Sequence, residues 1–121
     1  MIYKMNRLHV CSVCGFEGLE EPIFIDGEYS KTYEICSCCG FEYGFSEDND
    51  VIHGFITIPE EFLEVAFQLY RKKWIEEGMQ IFNPDTIPEN KRNKDILKFD
   101  ILIKQLKGLK LDLSNLDIAG F

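Results

Sequence analysis

The chain has 121 residues, enough for one domain with an ordinary hydrophobic core of its own. Its 21 acidic side chains outnumber 13 basic ones, and the resulting formal charge of −8 disfavours nucleic acid as a ligand. An odd number of cysteines, five, with no leader-like start and no apolar run long enough to span a membrane, predicts a protein of the reducing cytoplasm.

Met1 to Val10 has apolar residues without a clean period and predicts a short strand or an arm. It leads into Cys11-Ser12-Val13-Cys14-Gly15-Phe16-Glu17, a phrase that returns 25 residues later as Cys36-Ser37-Cys38-Cys39-Gly40-Phe41-Glu42. Two cysteines separated by two residues and turned back tightly aim both sulfurs at one point, and two such turns complete a tetrahedron. Each turn closes on a glycine, the residue that best tolerates a positive φ where the chain bends. The pattern predicts a structural Zn2+ held by Cys11, Cys14, Cys36 and Cys39; the alternative is a disulfide pair or free buried thiols. Cys38 stands where Val13 stands in the first turn and reads as a thiol beside the metal. The rival readings make it a ligand in place of Cys39, or a redox-sensing thiol.

Between the turns, Leu19 to Glu34 contains Pro22, the loop-like Asp26-Gly27 and an alternating stretch from Thr32 to Ile35, which together predict a strand-turn-strand ribbon. Phe41, Tyr43 and Phe45 alternate and should share a face, and Ser46 to Asp50 reads as an exposed acidic loop. Pro59 opens a helix predicted to reach Glu77 and to stop at Gly78. Leu63, Ala66, Phe67, Tyr70 and Trp74 form its core stripe, widened by Phe62, Val65 and Leu69. After a loop held by Pro84 and Pro88, a second helix is predicted from Glu89 to Lys107. Its stripe is Ile96, Phe99, Leu102, Ile103 and Leu106, with Lys94, Lys98 and Gln105 on a solvated face. The tail from Leu109 alternates like a short edge strand. The expected architecture is α+β: one domain over 1–121, with a small zinc-ribbon-like β module in 1–57 followed by two packed helices and a short tail in 58–121.

Residues 1–57 carry ten acids against Lys4, Arg7 and Lys31, so −7 of the net −8 lies in the cysteine-rich half. Glu20, Glu21, Glu47, Asp48 and Asp50 are the candidate partner-binding surface, with Phe41, Tyr43 or Phe45 as apolar anchors. His9 is two residues from Cys11 and His53 lies in a loop without a nucleophile in any base-nucleophile pattern, so no catalytic set is visible and the chain is not expected to be an enzyme. The acidic run lacks the spacing and terminal glutamate of a calcium loop.

Tyr33 to Glu42, Arg71 to Gly78 and Phe82-Asn83-Pro84 resemble the small bacterial cysteine-rich proteins of the CPCC-type zinc-ribbon family, over about residues 8 to 84. Ser12 and Ser37 stand where that family usually has proline, a departure that loosens the turn and spares the ligands. The resemblance implies a protein without established activity, of a kind that includes immunity factors and interaction partners in bacterial competition. The reading that follows is a zinc-stabilised module binding a basic protein. The alternative, a nucleic-acid-associated zinc ribbon, would rely on Arg71, Lys72 and Lys73 with Lys91, Arg92 and Lys94.

Overall fold

The computed structural model describes residues 8–50, 54–55 and 60–109, with side chains described outside 49–50, 54–55 and 60. The expectations for Met1 to Arg7, His53, Pro59 and the tail beyond Leu109 lie outside the described residues, as does the Asp50 side chain.

The two cysteine phrases fold alike. Cys11 N–H donates to Phe16 O at 2.9 Å and Gly15 N–H to Cys11 O at 2.8 Å, and the second turn repeats this with Cys36 to Phe41 at 2.9 Å and Gly40 to Cys36 at 2.9 Å. Gly15 and Gly40 both have φ +82°, as the duplicated glycine predicted. The first turn is carried by an antiparallel pair, β1 (His9–Val10) with β2 (Glu17–Leu19), and the second by a bridge between Ile35 and Glu42. Between them, β3 (Phe24–Ile25) and β4 (Glu28–Tyr29) form a hairpin across Asp26-Gly27, whose φ values of 53° and 81° are those of a type I′ turn. A third pair joins β5 (Asn49–Asp50) to β6 (Gly54–Phe55).

The first helix, α1, spans Leu63–Glu76 and is preceded by a 3-10 turn at Glu60–Phe62. It ends where the glycine predicted: Gly78, at φ +107°, donates to Ile75 O and Met79 N–H reaches back to Trp74 O at 2.9 Å, the paired bonds of a Schellman cap. The chain then runs past a last antiparallel pair, β7 (Arg92–Asn93) with β8 (Ile96–Leu97), before α2 (Phe99–Gly108).

Two helix expectations are corrected here. The second helix starts ten residues later than predicted, because Lys94 takes φ +58° and turns the chain into the β7–β8 hairpin. Arg92 holds that turn, donating to Ile87 O at 2.8 Å and Lys94 O at 2.7 Å. On α1 the core stripe is Leu63, Phe67, Trp74 and Ile75, with Arg71 buried among them, whereas Phe62, Val65 and Leu69 are exposed. That stripe closes on the cysteine turns, where the sequence predicted it against the second helix. The Phe41 ring meets Tyr43, Phe67 and Tyr70 edge-on at centroid distances of 4.8, 5.4 and 5.0 Å. One buried cluster runs from Cys11 and Val13 through Phe41 and Phe67 to Leu102 and Leu106.

Phe67→Ala should therefore cost roughly 3–5 kcal/mol in denaturant unfolding, while Leu69→Ala on the exposed face should stay within about 0.5 kcal/mol of the parent. Equal effects would contradict this orientation of α1.

Candidate metal centre

The Sγ atoms of Cys11, Cys14, Cys36 and Cys39 lie within 4.8 Å of one another and all four residues are buried. Cys11 and Cys39 are 3.8 Å apart, and Cys14 and Cys36 are 3.7 Å apart. A tetrahedral centre with metal–sulfur bonds of about 2.3 Å has edges of about 3.8 Å, so these two pairs stand at the separation such a centre demands and the other sulfurs lie within an ångström of it. All five cysteines are free thiols, and sulfurs this far apart are not disulfide-bonded. The four could hold a metal ion. Cys38 is equally buried but stands outside this group.

The protein prepares one of these sulfurs, that of Cys11, for charge. Val13 N–H points at Cys11 Sγ at 3.4 Å, and the Tyr43 hydroxyl sits 2.9 Å from the same sulfur. That hydroxyl accepts from Ser12 N–H at 3.0 Å, which leaves its own proton for Cys11. Burial, and then negative charge on Cys11, pushes the Tyr43 pKa far above the phenol range and keeps it a neutral donor. Burial opposes charge on Cys11 too, but hydrogen bonds from Cys14, Cys36, Cys39 and Tyr43 outweigh it and hold this thiol well below its ordinary value. Cys14 and Cys39 go the other way, raised by burial first and by neighbouring sulfurs second. A bound cation would replace their protons.

The two cysteine turns leave carbonyls at Ser12, Val13, Cys14 and at Ser37, Cys38, Cys39 for partners elsewhere in the chain. All six are answered by residues from the C-terminal half. The Arg71 guanidinium donates to Val13 O and, at 2.9 Å, to Ser12 O, and Gln105 Nε2 donates to Cys14 O at 2.9 Å. In the second turn Asn83 N–H takes Ser37 O at 2.8 Å, Phe82 N–H takes Cys38 O at 3.0 Å, and the Tyr70 hydroxyl takes Cys39 O at 3.1 Å. Adjacent residues of α1 thus grip different turns. A Cβ on Gly15 would collide with the backbone carbonyl of Gln105, so α2 can approach only because this residue is glycine.

The expected solvated role of Gln105 is corrected by that contact. Arg71, expected in a basic cluster, is likewise buried; burial lowers its pKa, opposed by Glu64 and by the sulfurs of Cys11, Cys14 and Cys39, and it remains a cation. Its signal was present in the sequence, because Leu63, Phe67, Arg71 and Ile75 recur every four residues and place an arginine in line with the core. Glu20 and Glu21 are exposed, and both backbone amides donate to the Glu34 carboxylate. Glu47 and Asp48 are buried, which corrects the exposed acidic loop: Glu47 accepts from the Tyr29 hydroxyl at 2.9 Å and from Gly44 N–H at 3.0 Å. Phe41 and Tyr43 are fully buried and cannot be surface anchors, whereas Phe45 is exposed because the chain turns away at Gly44, φ +104°. His9 is partly buried in β1.

Three outcomes follow from this geometry. Arg71→Met should destabilise the fold by roughly 2–4 kcal/mol, since it strands the buried Val13 carbonyl and the half-buried Ser12 carbonyl, and Gly15→Ala should be worse tolerated than Gly40→Ala, whose added Cβ meets only ordinary contacts. Loading with a divalent cation at pH 7 should release protons from Cys14 and Cys39, so apparent affinity should fall as pH falls. Calorimetry in buffers of different ionisation enthalpy measures that release, and a proton-neutral binding event would contradict the site.

Among the described residues no helix is long and apolar enough to cross a membrane. No protein-family model matches the chain and no solved structure matches it, so the CPCC-type assignment stays a resemblance. Two proteins of Bacillus subtilis (strain 168) do match. YozI is 54% identical over 118 residues, covering 97% of this chain and 98% of its own length. YoaQ is 51% identical over 117 residues, covering 97% and 99%. Both are described as uncharacterized proteins, and with this identity over nearly their whole length the chain belongs to the bacterial family of YozI and YoaQ.

Proposed function

We propose that the chain is a protein-binding module shaped by one structural zinc ion, and that it is not an enzyme. The observation that carries the reading is the set of four buried sulfurs within 4.8 Å of one another, two pairs of them at tetrahedral-edge spacing, which would fill every position of a four-coordinate ion and leave none for a water or substrate. Thiolates at all four corners favour zinc among common divalent ions. With four thiolates and a doubly positive ion, the formal charge of −8 becomes about two units more negative.

The partner reading rests on the surface around β3 and β4. Phe24 and Ile25 are about half exposed, and Glu20, Glu21, Asp26 and Glu28, all exposed, surround them in sequence. An apolar centre with an acidic rim suits a protein with a basic face, and the charge would chiefly speed association. This patch takes the place of the Glu47–Asp48 surface expected from sequence. The nucleic-acid alternative is weaker, since the guanidinium groups of Arg71 and Arg92 are spent on backbone carbonyls. The resemblance to CPCC-type proteins favours an interaction role of the immunity type, in the cytoplasm.

Protein purified without chelator should contain about one zinc per chain, lost in Cys14→Ser and kept in Cys38→Ser. Tagged chain in extract of its native cell should retain a protein with a basic contact face, lost when Glu20→Gln, Glu21→Gln and Ile25→Ser are combined, with association slowing as salt rises. Retention of RNA or DNA near physiological salt, abolished by neutralising Lys72 and Lys73, would favour the alternative.

A further inference from the structure

The β3–β4 hairpin has an open edge. Ser30 N–H donates to Ile23 O at 2.7 Å, which makes these two a hydrogen-bonded pair and, by the alternation of an antiparallel ladder, turns the N–H and C=O of Phe24 away from β4. No described residue bonds either group. Phe24 and Ile25 are neighbours in the strand and so point to opposite sides, yet they are 48 and 52% exposed. The β4 side is tied down, through Tyr29 to Glu47 and Phe67. Charge here has one sign: Glu17, Glu20, Glu21, Asp26 and Glu28 face no base between Glu17 and Ser30, and the Glu34 carboxylate joins them on the amides of Glu20 and Glu21. Lys31, the next base, follows β4 and lies with its Cβ over Gly44.

We propose that Met1-Ile2-Tyr3-Lys4-Met5-Asn6-Arg7 is an arm that closes over the β3 edge and covers the patch within its own chain. The arm carries two of the three bases of residues 1–57 and no acid, and Ile2, Tyr3 and Met5 alternate with or flank its lysine. It therefore offers cations to the acids, apolar side chains to Phe24 and Ile25, and backbone to the open edge. Its point of departure fits. His9 pairs antiparallel with Leu19, so the chain traced back through Leu8 heads the way β2 continues, towards Glu20, Glu21 and β3. Leu19 to Phe24 is five residues, at most about 17 Å, and seven extended residues reach about 23 Å. Lys110 to Phe121 is apolar too, but Asp112 and Asp117 outnumber Lys110 and bring the wrong sign. On the partner-binding reading, on which this step rests, a partner must displace the arm and so present the same chemistry: an extended basic segment with apolar side chains.

Amide exchange and NOE spectroscopy of the full-length, metal-loaded chain test the contact with no partner present, so its failure is separable from a failure to retain a partner. NOEs are expected from the methyl groups of Ile2 and Met5 to the Phe24 ring. Phe24 N–H should exchange about tenfold more slowly than in the double variant Lys4→Glu, Arg7→Glu, whose two positions lie outside the described fold. Adding Glu20→Lys and Glu21→Lys to that variant should restore most of the slowing, with zinc content the same in all three chains. The slowing should be constant from about 50 µM to about 1 mM protein, as for a segment tethered to its own site. Equal exchange of Phe24 in parent and double variant overturns the proposal. So does a charge swap that restores nothing, or slowing that grows with protein concentration and thereby puts the arm on a second copy.

Discussion

Each cysteine turn has three carbonyls that its own backbone does not satisfy, and a carbonyl buried without a donor costs about 1–3 kcal/mol. This chain has six such carbonyls in two turns, and its C-terminal half supplies a donor to each: the Arg71 guanidinium, the Gln105 amide, the Tyr70 hydroxyl and the backbone of Phe82 and Asn83. The position of α1 follows from that requirement, since Tyr70 and Arg71 reach different turns from neighbouring places on one helix. The segment after α1 follows too: Ile81 N–H bonds Asp95 O on one side while Phe82 and Asn83 bond the second turn on the other. The helices are therefore not an appendage to the cysteine centre, nor the centre to them.

The same arrangement manages charge. Four thiolates around a doubly positive ion would leave two negative charges in a site with almost no exposure to water. Arg71 places a buried cation on the carbonyls of the first turn, and Tyr43 donates a hydrogen bond to Cys11 from inside the aromatic cluster. Tyr43 also packs on Phe41 and Phe67, so the group that tunes a sulfur is locked in place by the core stripe of α1. Packing and site chemistry are here the same contacts.

What was legible in the sequence was whatever repeats or recurs over short distances. The duplicated phrase located all four sulfurs and both positive-φ glycines, and helical spacing placed Leu63, Phe67 and Trp74 in the core and Gly78 at the cap. Ile96 and Phe99 mimicked a helical step while lying on either side of a strand end, because the turn at Lys94 carries no glycine or proline to announce it. Glu47 looked like surface because its partner, Tyr29, is 18 residues away. Arg71 showed itself as buried by its four-residue spacing, but which carbonyls the donors reach was hidden for the same reason: Gln105 is 91 residues from Cys14, and no local pattern encodes that pairing.

Zinc K-edge X-ray absorption on protein purified without chelator bears most directly on the claim that these two turns form one structural zinc centre. The account requires close to one zinc per chain with a first shell of four sulfurs at about 2.3 Å and no lighter ligand. A nitrogen or oxygen in that shell, or well under half an equivalent of metal with the fold intact, would contradict it.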